Sequence, residues 1–203
     1  MTAPVYPVVE DRPVAPAPSV VNLPNALTLG RLLVVPVFAV LLLTAGDEPG
    51  VRVLLWALFT GACVTDVVDG RIARSRGQVT DFGTMADPIA DKALVGTALV
   101  GLSLLGELPW LVTGVVLGRE VGVTLLRLWV ARSRAHVMPA GRGGKLKALT
   151  QNVAVALYLL PLVGFAAALR LPVLWVAVVA TVVTGVDYLL QALRLRAQAL
   201  ARA

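Results

Sequence analysis

Six apolar runs, each close to the ~20 residues that cross a bilayer core as a helix, fill most of this 203-residue chain. They fall at roughly 25–45, 51–73, 83–105, 108–131, 147–169 and 171–192. Hydrocarbon offers no partner for a backbone N–H or C=O, so only helices and closed barrels can span it, and runs of this length select helices. Hydrophobic residues make up 58% of the chain and charged residues 15%. Soluble domains are nearer half apolar and a quarter charged, so a water-soluble globule and a wholly disordered chain are both excluded. The expected fold is all-α: a polytopic membrane protein with six transmembrane helices.

Charge in the connections sets an expected orientation. Twelve Lys/Arg (Arg12, Arg71, Arg74, Arg76, Arg132, Arg134, Arg142, Lys145, Lys147, Arg194, Arg196 and Arg202) lie on one side, against Arg52 and Arg170 on the other. The positive-inside rule then places both termini and the even-numbered loops in the cytoplasm. The net charge of +6 is thereby explained without nucleic acid. Residues 1–21 hold Pro4, Pro7, Pro13, Pro16 and Pro18, too many for a helix, and read as a flexible tail with no signal-peptide pattern. Asn22-Leu23-Pro24-Asn25 is a helix entry, and 22–203 reads as one transmembrane domain. Cys63 is the single cysteine, so neither an intrachain disulfide nor a cysteine-based metal site is available.

Against this apolar background four acids stand out. Asp66 and Asp69 close the second run, and Asp87 and Asp91 open the third. Spacings of three and four put each pair on one helix face, and the short connection makes the two helices antiparallel, with both pairs at similar depth. Four converging carboxylates repel unless cations sit among them, and hard oxygen donors favour magnesium, manganese or calcium over zinc. Such a set suits a two-metal site that clamps the attacking and leaving oxygens of a phosphoryl displacement. The plainer reading of an intramembrane acid is a local ion pair or polar helix contact, and the plainer reading of the neighbouring glycines is tight helix packing.

Written out, the segment is Asp66-x2-Asp69-Gly70-x2-Ala73-Arg74-x8-Gly83-x3-Asp87-x3-Asp91. It resembles the signature of the CDP-alcohol phosphatidyltransferases, with every defining position filled. The resemblance implies a six-helix membrane enzyme that moves a phosphatidyl group from CDP-diacylglycerol to an alcohol and releases CMP, using two divalent metals, Mg2+ or Mn2+, on the cytoplasmic side of the cell membrane. It maps Asp66, Asp69, Asp87 and Asp91 to the metals, with Asp91 also the base for the acceptor hydroxyl. Asp66, Asp69, Gly70, Ala73, Arg74 and Gly83 map to CDP-diacylglycerol binding. A homodimer is implied by the same resemblance and by nothing else in the chain.

The acceptor must be read from other segments. Asn25 to Arg31, Arg119-Glu120 with Arg127, and Gly144-Lys145-Leu146-Lys147 through Gln151 resemble the phosphatidylglycerophosphate-forming branch of that family, whose acceptor is glycerol 3-phosphate. Ala148 stands where that branch is expected to carry threonine. A phosphate-bearing acceptor needs cations beside the metals, and Thr28, Arg31, Arg119, Lys145 and Lys147 are the expected residues. Positive-inside charge or anionic-lipid contact is the plainer account of the lysines, and a structural ion pair that of Arg119 and Glu120. An inositol phosphate, or phosphatidylglycerol as in cardiolipin synthesis, is the alternative acceptor; a divalent-cation or proton-coupled transporter is the alternative of another class. Gly114-x3-Gly118-x3-Gly122 suits a close helix contact, internal or between subunits. His136 reads as a loop residue, and Asp187 is expected to pair with a basic neighbour.

Overall fold

The computed structural model describes residues 22–75, 80–132 and 142–200. The expected tail at 1–21 and His136 lie outside the described residues. Six long helices and one short one follow in order: α1 (Leu23–Ala45), α2 (Pro49–Ser75), α3 (Asp81–Leu104), α4 (Trp110–Arg132), α5 (Arg142–Leu159), α6 (Gly164–Ala168) and α7 (Arg170–Leu200). Each long helix overlaps one of the six apolar runs, and the described residues contain no strand.

Local signals fix the starts. Asn22 caps α1, its Oδ1 accepting from the Asn25 N–H at 2.9 Å, with a proline in the first turn where no N–H is needed. Thr80 caps α3 by accepting from the Gly83 N–H at 3.1 Å, and its hydroxyl donates to Asn25 Oδ1 at 2.9 Å. The two helix starts are thereby tied side by side. A Cβ on Gly83 would lie 2.8 Å from that same Asn25 oxygen, so the α1–α3 approach requires glycine there.

Among the described residues, three helices are long and apolar enough by themselves to cross a membrane, over Asn25–Ala45, Pro49–Ile72 and Gly164–Leu195. The other three runs are interrupted by ionisable residues, among them Asp87, Asp91 and Lys92, then Arg119, Glu120 and Arg127, then Lys145 and Lys147. The bundle's outer faces are apolar: Leu33, Val40, Leu111, Leu125, Val179 and Val183 are all more than half exposed. Water-facing helices would carry polar residues there. This is a membrane protein.

The buried interior is layered. Phe38, Leu42, Leu55, Phe59, Leu94, Leu99, Leu102 and Leu159 form the apolar middle, with the Phe38 and Phe59 rings 6.4 Å apart and tilted by 43°. In lipid, packing rather than release of apolar surface from water holds helices together, and a Cβ at Gly101 would overlap Leu42. Polar side chains gather at the two ends. Asp66, Asp87, Glu120, Lys147 and Tyr188 share one end with the start of α1; Arg52, Glu107 and Arg170 occupy the other.

At that second end the expected single fifth run, 147–169, is broken. Pro161 cannot donate a helical hydrogen bond, Gly164 takes the left-handed conformation (φ 58°), and α5 stops at Leu159. The carbonyls left over find a cation: Arg170 donates to the Leu157 carbonyl at 3.1 Å and to that of Leu160, with its guanidinium 5.7 Å from the Tyr158 ring centroid. Arg52, 7% exposed, donates to the Gly46 carbonyl, to the Tyr158 carbonyl at 3.3 Å and to Glu107. It thereby joins the α1–α2 turn to α5 and to the loop after α3. Arg52 is buried and Glu107 partly so, and removing the arginine leaves the carboxylate and two carbonyls without their donor, so Arg52→Leu is expected to cost about 2 kcal/mol. It lies about 21 Å along α2 from Asp66 at 1.5 Å per residue. A lower unfolding temperature in detergent with unchanged KM values is the expected result; altered KM values would show coupling between the two ends.

Among the described residues, the small-residue stripe of α4 packs against nothing. A Cβ on Gly114, Gly118 or Gly122 would meet nothing within 4 Å among the described residues, so the internal form of the close-contact expectation is corrected.

Candidate active site

α1, α2 and α3 bring their charged residues together at one end. Arg31 of α1 is buried and donates to Asp66 Oδ1 of α2 at 2.5 Å. One turn earlier, the Thr28 hydroxyl donates to Asp87 Oδ1 of α3. An arginine and a hydroxyl expected at the acceptor phosphate therefore each hold one of the acids. The side chains of Asp69, Ala73 and Arg74 lie outside the described residues.

Asp91 sits one turn beyond Asp87 and opens onto a cavity of about 330 Å³ between α3, α4 and α5, whose lining includes Lys92, Glu120, Thr124, Lys147 and Gln151. It lies within electrostatic reach of Asp66, Arg31, Glu120 and Lys147. Glu120 is the hub of the cation side. It accepts from Lys147 Nζ, from Arg119 Nη1 at 3.0 Å, and has Lys92 Nζ at 4.0 Å. Lys92 in turn donates to the Thr124 hydroxyl at 2.6 Å.

The expected acceptor cations divide by position. Lys147 is 5% exposed and lines the cavity. Lys145, two residues earlier and so on another face, is exposed and does not line it. Arg119 turns toward α7, donating to the Thr184 hydroxyl at 3.2 Å with its guanidinium 5.6 Å from the Tyr188 ring centroid. Arg127 donates to the Tyr188 hydroxyl at 2.7 Å. The structural reading of Glu120 as an ion-pair partner agrees with these contacts. Among the described residues Asp187 accepts from Gln191, one turn along, at 2.7 Å.

The donor set fits a hard divalent cation in its chemistry. Asp66 and Asp87 each commit one oxygen, and a carboxylate has two; Asp91 lies nearby in the cavity wall. Among the described residues, no three acidic, histidine or cysteine side chains are drawn close enough to hold an ion.

Lys92 and Thr124 are additions to the residues expected from sequence, where Gln151 stood only as the end of the segment that begins at Gly144. Lys92 adjoins a singled-out acid, and Gln151 follows Lys147 by four, which places the two on one face of α5; that spacing was the available signal.

At this end of the bundle acids on α2 and α3 meet cations on α1, α4 and α5. The chain belongs to the CDP-alcohol phosphatidyltransferase family, whose sequence model matches residues 21–183. It is 51% identical over 176 residues to a probable phosphatidylglycerophosphate synthase of Mycobacterium tuberculosis, covering 86% of this chain and 83% of that one. It is 40% identical over 183 residues to a CDP-diacylglycerol–glycerol-3-phosphate 3-phosphatidyltransferase of Bacillus subtilis, covering 82% and 93%. A CMP-forming cardiolipin synthase of Oryza sativa is 36% identical over 160 residues, covering 72% of this chain and 48% of the plant protein. Membership of a transferase family sets aside the transporter expectation.

Proposed function

We propose that this protein transfers the phosphatidyl group of CDP-diacylglycerol to glycerol 3-phosphate, giving phosphatidylglycerophosphate and CMP. The observation that carries the reading is the shared cavity: Asp91, the acid assigned as base, and Lys147, a buried cation able to meet a phosphate, line the same 330 Å³ space. The names of the bacterial relatives, at 51% and 40% identity, point to the same acceptor.

The hydroxyl oxygen of the acceptor attacks the phosphorus that bears the diacylglycerol. The bond from that phosphorus to the CMP oxygen breaks, and the hydroxyl proton passes to an Asp91 oxygen. Lys147 holds the acceptor phosphate, and Glu120 keeps Lys147 in place. Arg31 and Thr28 orient Asp66 and Asp87. Two divalent cations, Mg2+ or Mn2+, held by Asp66, Asp69, Asp87 and Asp91, supply positive charge for the pyrophosphate when bound. Asp66, Asp69, Gly70, Ala73, Arg74 and Gly83 form the CDP-diacylglycerol side, Gly83 by admitting Asn25 at close range.

The long helices span the cell membrane six times, with both termini and the site on the cytoplasmic side. The charge asymmetry of the connections favours this orientation, and so does the start of α1 at the same end as the acids. The protein works as a homodimer in the lipid bilayer, a reading supported by the outward-facing glycines of α4.

Purified protein in mixed micelles with CDP-diacylglycerol and magnesium is expected to release CMP with glycerol 3-phosphate, and to stop when the metal is chelated. CMP release with an inositol phosphate or phosphatidylglycerol but not with glycerol 3-phosphate would overturn the acceptor.

A further inference from the structure

Gln151 is 5% exposed and stands on α5 one turn beyond Lys147, on the same face. It lines the cavity that holds Asp91 and Lys147. Its side-chain oxygen Oε1 is sealed from solvent and has no hydrogen-bond partner among the described residues. A buried acceptor without a donor is destabilising, and the great majority of such atoms in folded proteins are satisfied. Turning the amide over exchanges oxygen for nitrogen, and the sealed position then holds an unmet donor instead.

The chemistry of the amide restricts what can complete it. Lys147 offers only donors, which suits the oxygens of a phosphate. Gln151 offers an acceptor and a donor together, which suits a hydroxyl, a group that also gives one and takes one. With the oxygen in the sealed position, a phosphate oxygen would face it with no proton between them. The reacting hydroxyl is drawn toward Asp91, so the hydroxyl left for Gln151 is the one that does not react. One helical turn puts Lys147 and Gln151 side chains ~5–6 Å apart at their origins, a span a three-carbon phosphate fills.

We propose that Gln151 is a specificity-determining residue of this enzyme, binding the non-reacting hydroxyl of a polyol-phosphate acceptor and so selecting acceptors that carry it. The proposal rests on the acceptor reading given above.

The test compares glycerol 3-phosphate with 3-hydroxypropyl phosphate, which keeps the reacting hydroxyl and the phosphate and lacks only the hydroxyl on the middle carbon. Wild-type protein is expected to prefer glycerol 3-phosphate by about 10- to 100-fold in kcat/KM, because the analogue leaves the amide unmet. Gln151→Leu is expected to bring that preference to within about 3-fold, by losing rate on glycerol 3-phosphate while using the analogue as well as wild type does. The KM for CDP-diacylglycerol stays unchanged. The ratio is taken within one preparation, so it does not depend on how much protein is folded. Gln151→Met offers a side chain of similar shape if the leucine variant fails to purify.

Equal use of the two acceptors by the wild type would overturn the proposal without any variant and leave the acceptor reading standing. A Gln151→Leu protein slowed in the same proportion on both would overturn it in favour of a structural amide or a bound water. Failure of the wild type to use glycerol 3-phosphate at all would overturn the acceptor reading, and the proposal with it.

Discussion

Asp91→Asn is expected to lower kcat by about 10³-fold or more while CDP-diacylglycerol still binds. The amide has nearly the shape of the carboxylate but cannot take up the acceptor proton, and loss of a positioned base removes about 10²–10⁴ in rate. The substitution also removes the charge of one of the four carboxylates proposed to hold metal. Folding is expected to be little changed. Asp91 stands at a cavity wall beside Asp66, a like charge in the same electrostatic neighbourhood, so neutralising it relieves repulsion rather than breaking a pair. CMP release gives the rate, binding of a fluorescent CDP-diacylglycerol analogue gives the affinity, and an unfolding curve in detergent gives the stability. Normal turnover would refute the base role. Lost turnover together with lost lipid binding would shift Asp91 to the metals alone.

The fold was legible in the sequence wherever one periodicity or cap decided it. Asn22 and the proline beside it fixed the start of α1, and the lengths of the apolar runs fixed the long helices. The division at Pro161 was less legible, because the run 147–169 remains apolar across it. What lets the helix stop there is Arg170, whose guanidinium takes up the carbonyls of Leu157 and Leu160 from a position that hydropathy marks only as a loop charge.

The site was legible to a different depth. Acids in an apolar run are costly, so Asp66, Asp87 and Asp91 announced themselves by position alone. Their partners did not. Arg31 lies 35 residues before Asp66 and Thr28 lies 59 before Asp87, and no local pattern encodes a pairing across that distance. The lysines show the same limit. Lys145 and Lys147 look alike in a composition count, but a step of two on a 3.6-residue helix turns them to different faces. Only one of them enters the cavity.

That difference in face separates the two lysines by experiment. Lys147→Met is expected to raise the KM for glycerol 3-phosphate by about 30- to 150-fold, the loss of one charge-assisted hydrogen bond worth about 2–3 kcal/mol. The KM for CDP-diacylglycerol is expected to change by less than about 3-fold. The variant should fold: Glu120 keeps Arg119 at 3.0 Å and Lys92 at 4.0 Å, so no buried charge is left alone, and methionine fills the space of the lysine stem. Lys145→Ala is expected to change either KM by less than about 3-fold, because an exposed ammonium is screened by water and salt. Initial CMP release measured against each substrate in turn gives both values. If Lys145→Ala raises the glycerol 3-phosphate KM as much as Lys147→Met does, the phosphate is held by diffuse positive charge at the bundle end. If both variants raise the two KM values equally, the lysines act on the membrane surface, and the cavity is not where the acceptor phosphate binds.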